Sequence, residues 1–199
     1  MIVLLWNKLL KKMRGSAVRK SVIDKTASIG SGSQITNTTI NKNSYCGYDC
    51  KLLNCDIGSY CSIADGVIIG GARHPIEWAS TSPVFFCDKS NVKKKFSHHK
   101  RPDDARTIVG NDVWIGERVL IKAGVQVSDG AVIGMGSVVT KDIGPYEIWA
   151  GNPARFIRKR FSKEIIDRMI MAKWWELDDT KLTELALMVK EPEDFLNNI

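Results

Sequence analysis

Residues 109–143 read VGNDVW IGERVL IKAGVQ VSDGAV IGMGSV VTKDI, so an aliphatic residue returns at every sixth position as Val109, Ile115, Ile121, Val127, Ile133 and Val139. That period belongs neither to a helix nor to a simple two-faced strand, and it predicts a repeat architecture in which each hexad is one flat side of a coil. The fifth positions, Val113, Val119, Val125, Ala131, Ser137 and Ile143, are all small or apolar, so the first and fifth residues of each hexad are expected to point inward. Three hexads make one three-sided turn. The same beat runs at Ile57, Ile63 and Ile69, and more loosely upstream through Ile23, Ile29 and Ile35, then Ile40, Cys46 and Leu52, with one residue dropped at a corner. Glycines such as Gly30, Gly58, Gly110 and Gly116 recur after the aliphatic position, where tight corners need residues free of a side-chain clash.

Working outward, the sequence divides into a basic amphipathic segment over residues 1–20, a mainly β coil over 21–160 and a helical extension over 161–199. Ser162 is a plausible N-cap for a helix whose apolar face is Ile165, Ile166, Met169, Ile170 and Trp174. A second helix is expected from Asp179 to Lys190, ended by Pro192.

The chain has 29 basic and 22 acidic side chains, with basic clusters at Lys8–Lys20, Lys89–Arg106 and Arg155–Lys163. No nucleic-acid-binding motif accompanies this charge, which suits an anionic lipid surface or a phosphorylated small molecule instead. The five cysteines form no C-x-x-C pair and no even disulfide set. Cys46, Cys50 and Cys61 fall on inward positions, as expected of a cytoplasmic protein. No apolar run spans a bilayer and no secretory signal is expected. Residues 1–14 are expected to pack on the protein's own assembly or to rest on an anionic membrane.

The beat stops after Gly70-Gly71-Ala72-Arg73-His74 and resumes in phase near residue 108. A regular coil gains no packing by ejecting residues 75–107, and long insertions of this kind are often functional. His74 stands at its root, expected on the rigid wall beside a mobile arm. Imidazole is suited to proton transfer near neutral pH, which makes His74 the candidate base.

Together these features resemble the hexapeptide-repeat acyltransferases of left-handed parallel β-helix fold, within them the xenobiotic acetyltransferase branch that includes chloramphenicol and streptogramin A acetyltransferases and polysaccharide-modifying relatives. The resemblance covers residues 23–175. It rests on the hexads at 57–64 and 108–116, on Gly71-Ala72-Arg73-His74, on residues 138–143, on Gly151-Asn152-Pro153-Ala154 and on Lys173-Trp174-Trp175. It implies a homotrimer with active sites between subunits, acetyl-CoA as donor, no metal, and His74 as the catalytic base. By motif position it implies cofactor contacts from Trp114, Ala123, Gly124, Gly134, Met135, Gly136, Thr140, Lys141, Arg155 and Arg158.

The loop text differs from the antibiotic-modifying members, because Arg73 rather than asparagine precedes the histidine and the sequence continues His-Pro-Ile-Glu-Trp-Ala-Ser-Thr-Ser-Pro. Glu77, Trp78, Ser80, Thr81, Ser82 and Phe85 are the candidate acceptor-binding residues. This polar loop favours a sugar or surface-glycan hydroxyl, with an antibiotic as the alternative acceptor and a non-enzymatic scaffold or lipid-surface protein as the alternative class. A zinc hydratase on the same prism needs three converging histidines, whereas this chain has three in all and two are adjacent.

Overall fold

The computed structural model describes Trp6, Leu10 and residues 13–87, 92–101 and 103–199. The described strands form three sheets, visited in rotation by the chain. The first contains Ala17–Arg19, Gln34–Thr36, Lys51–Leu53, Ile68–Ile69, Leu120–Ile121 and Val138–Val139. The second contains Val22–Ile23, Thr39–Ile40, Cys55–Ile57, Thr107–Val109 and Gln126–Val127. The third contains Ser28–Ile29, Tyr45–Cys46, Ser62–Ile63, Trp114–Ile115, Val132–Ile133, Glu147–Gly151 and Ala154–Lys159. Neighbours pair in parallel, except that the last two strands form an antiparallel hairpin.

The prism interior follows the hexad arithmetic. Val109, Ile115, Ile121, Val127, Ile133 and Val139 are buried, as are Val113, Val119, Val125, Ala131, Ser137 and Ile143. Each aliphatic side chain removed from water this completely contributes on the order of 1.5–3 kcal/mol before the entropy of ordering is subtracted. Cys46, Cys50 and Cys61 belong to the same core, and so does Cys55.

The dropped residue has a physical origin. In the early turns the corner between the first and second sheets is a single left-handed residue, Lys20, Asn37 or Asn54, with φ near +50°. Asparagine tolerates that conformation better than most side chains. Asn37 Nδ2 donates to Asn54 Oδ1 at 2.7 Å, one 17-residue turn further on. Later turns use a longer corner at Lys122–Gly124, and Asn111 then meets Asp129 at a spacing of 18.

Three details differ from the sequence expectations. The coil begins at Ala17, because Ala17–Arg19 pairs with Gln34–Thr36 and draws part of the basic segment into the first sheet. The extruded segment leaves after Ile69 rather than after His74. It returns one residue before the expected end, since Thr107 is buried and pairs with Cys55. Pro192 opens a third helix, Pro192–Asn197, at the position where proline's missing N–H is harmless. The second helix is shortened to Asp179–Leu185. The first, Lys163–Ala172, is capped by Ser162 and ends at Lys173 in the left-handed region, so Trp174 lies beyond it.

Of the amphipathic N-terminal segment, Trp6, Leu10 and Met13 are helical and exposed, and the rest up to Lys12 lies outside the described residues. No helix among the described residues is long and apolar enough to cross a membrane.

Each corner of the prism stacks into an edge with its own partners. The first edge, between the first and second sheets, carries residues 70–74, 122–124 and 140–142. Gly70 N–H donates to the Ile121 carbonyl at 2.9 Å and Lys122 N–H to that of Val139 at 3.0 Å. The second edge meets the helical tail, where Tyr60 packs on Trp174 with ring centroids 4.7 Å apart. The third edge carries Gly134, Met135 and Gly136.

Candidate active site on the first edge

His74 lies five residues beyond the last strand, exposed to solvent, and not on the wall of the coil. The contacts that hold it therefore come from the extruded segment itself. Arg101 Nη1 donates to the Arg73 carbonyl at 2.8 Å, and Nη1 and Nη2 donate to the two carboxylate oxygens of Asp104, each at 2.8 Å. Arg73 N–H donates to Asp104 Oδ1 at 2.9 Å. Both backbone groups of the residue before His74 are thus held by one bidentate ion pair. The guanidinium beside Asp104 holds its carboxyl below the usual range. Asn54 Nδ2 anchors the pair to the coil through the Asp104 carbonyl at 3.0 Å.

A second clasp follows at the re-entry point. Arg106 donates to both oxygens of Asp56 at 2.6 Å and to the carbonyls of Asn37 and Cys55 at 2.9 and 3.1 Å. Its guanidinium lowers the Asp56 carboxyl pKa.

The imidazole is oriented by the loop. His74 Nδ1 lies 2.7 Å from the Thr81 carbonyl oxygen. A carbonyl can only accept, so in the neutral ring Nδ1 carries the hydrogen and Nε2 presents a lone pair. Phe86, 2% exposed, meets the His74 ring edge-on at 6.0 Å and Trp78 at 6.1 Å. Lys95 closes the same loop by donating to the carbonyls of Pro83 and Phe86 at 2.7 and 3.0 Å. His99 packs against Trp78.

A cavity of about 230 Å³ opens beside His74, lined by Arg73, Pro75, Glu77, Arg101 and Asp103. A neighbouring cleft of about 290 Å³ is lined by Trp78, Ala79, Ser80, Phe85 and His99. Glu77 therefore faces the histidine, whereas Trp78, Ser80 and Phe85 share the second cleft. Ser80 Oγ accepts from Ser82 N–H, and Ser82 Oγ caps the short turn Pro83–Phe85. Thr81 reaches the site through its backbone.

The residues expected at the cofactor separate onto different parts of the prism. Ala123, Gly124, Thr140 and Lys141 lie on the edge from which the extruded segment leaves the coil. Gly134, Met135 and Gly136 lie on the third edge, next to the strand Glu147–Gly151, and Arg155 and Arg158 are on the outer strand of the hairpin, beyond it. Trp114 projects from the third sheet, 57% exposed. Packing within the chain accounts for two of the glycines: a Cβ on Gly124 would meet the Ala105 Cβ at 2.7 Å, and one on Gly134 the Ala150 Cβ at 2.9 Å. Gly136, at φ +69°, faces open space.

Arg101, Asp104 and Asn54 escaped the sequence reading. Their trace was the mixed sign of Arg101-Pro102-Asp103-Asp104-Ala105-Arg106 inside what reads as a basic cluster. Among the described residues no three His, Cys, Asp or Glu side chains gather as metal ligands do.

A family model described as bacterial transferase hexapeptide (six repeats) matches residues 106–141, and one described as GlmU-like, C-terminal hexapeptide matches residues 11–75. A probable macrolide acetyltransferase of Lysinibacillus sphaericus is 43% identical over 148 residues, covering 71% of this chain and 81% of the relative. A chloramphenicol acetyltransferase of Agrobacterium fabrum is 44% identical over 122 residues, covering 60% of this chain and 58% of the relative. A galactoside O-acetyltransferase of Escherichia coli K12 is 32% identical over 127 residues, covering 62% and 55%. The matched region thus spans less than two thirds of the last two relatives.

Proposed function

The chain belongs to the hexapeptide-repeat acetyltransferases, and on that basis we propose that it transfers an acetyl group from acetyl-CoA to a hydroxyl of a sugar or glycan precursor, with His74 as general base. The observation that carries the assignment of the base is the 2.7 Å contact between His74 Nδ1 and the Thr81 carbonyl. It leaves Nε2 unprotonated and free to take the acceptor's proton as the oxygen attacks the thioester carbonyl carbon. Collapse of the tetrahedral adduct breaks the C–S bond, and the imidazolium returns the proton to the departing sulfur. The products are an acetyl ester and CoA.

The cavity beside His74 supports this acceptor class. Its walls carry two guanidinium groups and two carboxyl side chains within about 230 Å³, a lining that matches a hydroxyl-rich ligand and offers little to a macrocycle. A second reading, acetylation of an antibiotic, is favoured by the higher identity to the relatives named for macrolides and chloramphenicol. For the donor, Lys141 on the first edge and Arg155 and Arg158 on the outer strand of the terminal hairpin are suited to the phosphates of CoA. Neighbouring copies in a trimer would bring two such edges face to face, with the pantetheine arm between them.

The test is an acetyl-CoA consumption screen against nucleotide sugars, oligosaccharides, chloramphenicol and streptogramin A. His74→Ala is expected to lose about 10²–10⁴-fold in rate on whichever acceptor is active, with the fold retained. Turnover of the antibiotics alone would replace the sugar reading, and full turnover by His74→Ala would remove His74 from the mechanism.

A further inference from the structure

The helical tail does not close fully on the second edge. Between them lies a cleft of about 360 Å³, on the coil side bounded by Asp112, Tyr146, Arg160 and Phe161. Leu182, Ala186 and Val189 contribute to the opposite wall from the tail. The cleft shares no lining residue with the cavity at His74.

Its polar end is incomplete. Tyr146 is 1% exposed; the Trp174 indole N–H, which can only donate, lies toward its hydroxyl oxygen, and no group accepts the hydroxyl hydrogen. A buried O–H without an acceptor is costly, and native structures usually supply one. Arg160 stands over the Tyr146 ring, its guanidinium carbon 5.2 Å from the centroid. Its two hydrogen bonds both leave from Nη1, to Asp112 Oδ2 at 3.1 Å and to the Gly130 carbonyl at 2.8 Å. Nε and Nη2 remain able to donate to a further acceptor.

The charges select the ligand. Arg160 and Asp112 offset one another, so an anionic ligand would meet the carboxylate and a cationic one the guanidinium, each while losing water. Burial already works against ionisation of Asp112, raising its pKa. The remaining walls are hydrocarbon. We propose that this cleft is a binding site for an uncharged, hydrocarbon-rich molecule whose single carbonyl or hydroxyl oxygen accepts a hydrogen bond from Tyr146.

Three probes of matched shape test this by calorimetry on the full chain: 4-phenylbutan-2-one, 3-phenylpropanoate and 3-phenylpropylammonium. The ketone is expected to bind with Kd near or below about 1 mM, and the two ions at least about tenfold more weakly. Tyr146→Phe is expected to weaken the ketone by roughly 5–10-fold while the ligand-free protein keeps its fold and cooperative melting. Ala186→Trp, at an exposed position of the tail, is expected to abolish binding by filling the cleft. The proposal is overturned if the ketone shows no binding at about 10 mM, if the three probes bind within about twofold of one another, or if Ala186→Trp binds like the parent. None of these readouts depends on acetyl transfer, so they stand whatever acceptor the first edge serves.

Discussion

Arg101 grips Asp104 through two parallel hydrogen bonds of 2.8 Å, and the pair holds both the N–H and the carbonyl of Arg73, the residue before the candidate base. The side chains are 22% and 24% exposed, so the pair is partly shielded from water. Charge-assisted bonds in such a setting are worth about 1.5–3 kcal/mol, a tenfold or larger change in local opening. Arg101→Ala is therefore expected to raise amide exchange over residues 72–82 by about tenfold or more and to lower kcat comparably. Exchange in the core strands should stay unchanged. A variant with parent-like exchange at the loop root would refute the clasp.

Asp104 also sets a pH dependence. Its folded-state pKa is depressed, chiefly by Arg101, so the clasp contributes fully above the unfolded value of about 3.9 and is lost as pH falls through the folded value. Amide protection at residues 72–74 is expected to hold from neutrality to about pH 5 and to fade below about pH 4. Asp104→Asn should begin with lower protection and lack that step.

The ring contact makes a spectroscopic prediction. With Nδ1 donating to the Thr81 carbonyl, nitrogen-15 spectra at pH 8 should show His74 as the Nδ1–H tautomer, with the bare-nitrogen shift at Nε2. Free histidines in water favour the opposite tautomer, so the outcome discriminates. An Nε2–H signal would leave the wrong nitrogen to act as base.

The prism was readable in the sequence because its order is local: one residue in six is aliphatic, and the inward positions of residues 109–143 are buried without exception. The interruption was readable for the same reason, as the place where that arithmetic stops, and it pointed to His74 as the candidate base. Its surroundings were not. Arg101 and Asp104 reach Arg73 across 28 and 31 residues, a closure that charge spacing does not encode. Hexad arithmetic put His74 on a wall, whereas the strand ends at Ile69 and the histidine is steadied by the ion pair and the Thr81 carbonyl. The third helix was hidden by Pro192, which reads equally as the end of one helix and the start of the next.

Buried hydroxyls complete the ladders at the corners. Ser44 Oγ accepts from Cys61 N–H at 2.9 Å and donates to the Gly58 carbonyl at 2.7 Å. Ser33 Oγ likewise joins Cys50 N–H to the Gly47 carbonyl. Ser44→Ala leaves a core amide without a partner and is expected to cost about 1–3 kcal/mol in denaturant unfolding. Ser44→Thr keeps the hydroxyl and should recover part of that loss. An alanine variant as stable as the parent would mean that water replaces the serine at this corner.

Cysteine chemistry separates the prism from the extruded segment. Burial pushes the Cys55 thiol up to about 11 and the Cys61 thiol up to about 12, so both stay protonated and shielded at neutral pH. Cys46 and Cys50 are also enclosed in the core, and Cys87 alone among the five is exposed. A thiol reagent such as DTNB is therefore expected to titrate one group rapidly in the native protein and all five after denaturation, with Cys87→Ser removing the fast phase. Two or more fast thiols at pH 8 would show that the coil opens far more readily than its packed interior implies, because the remaining four can react only when their turns separate.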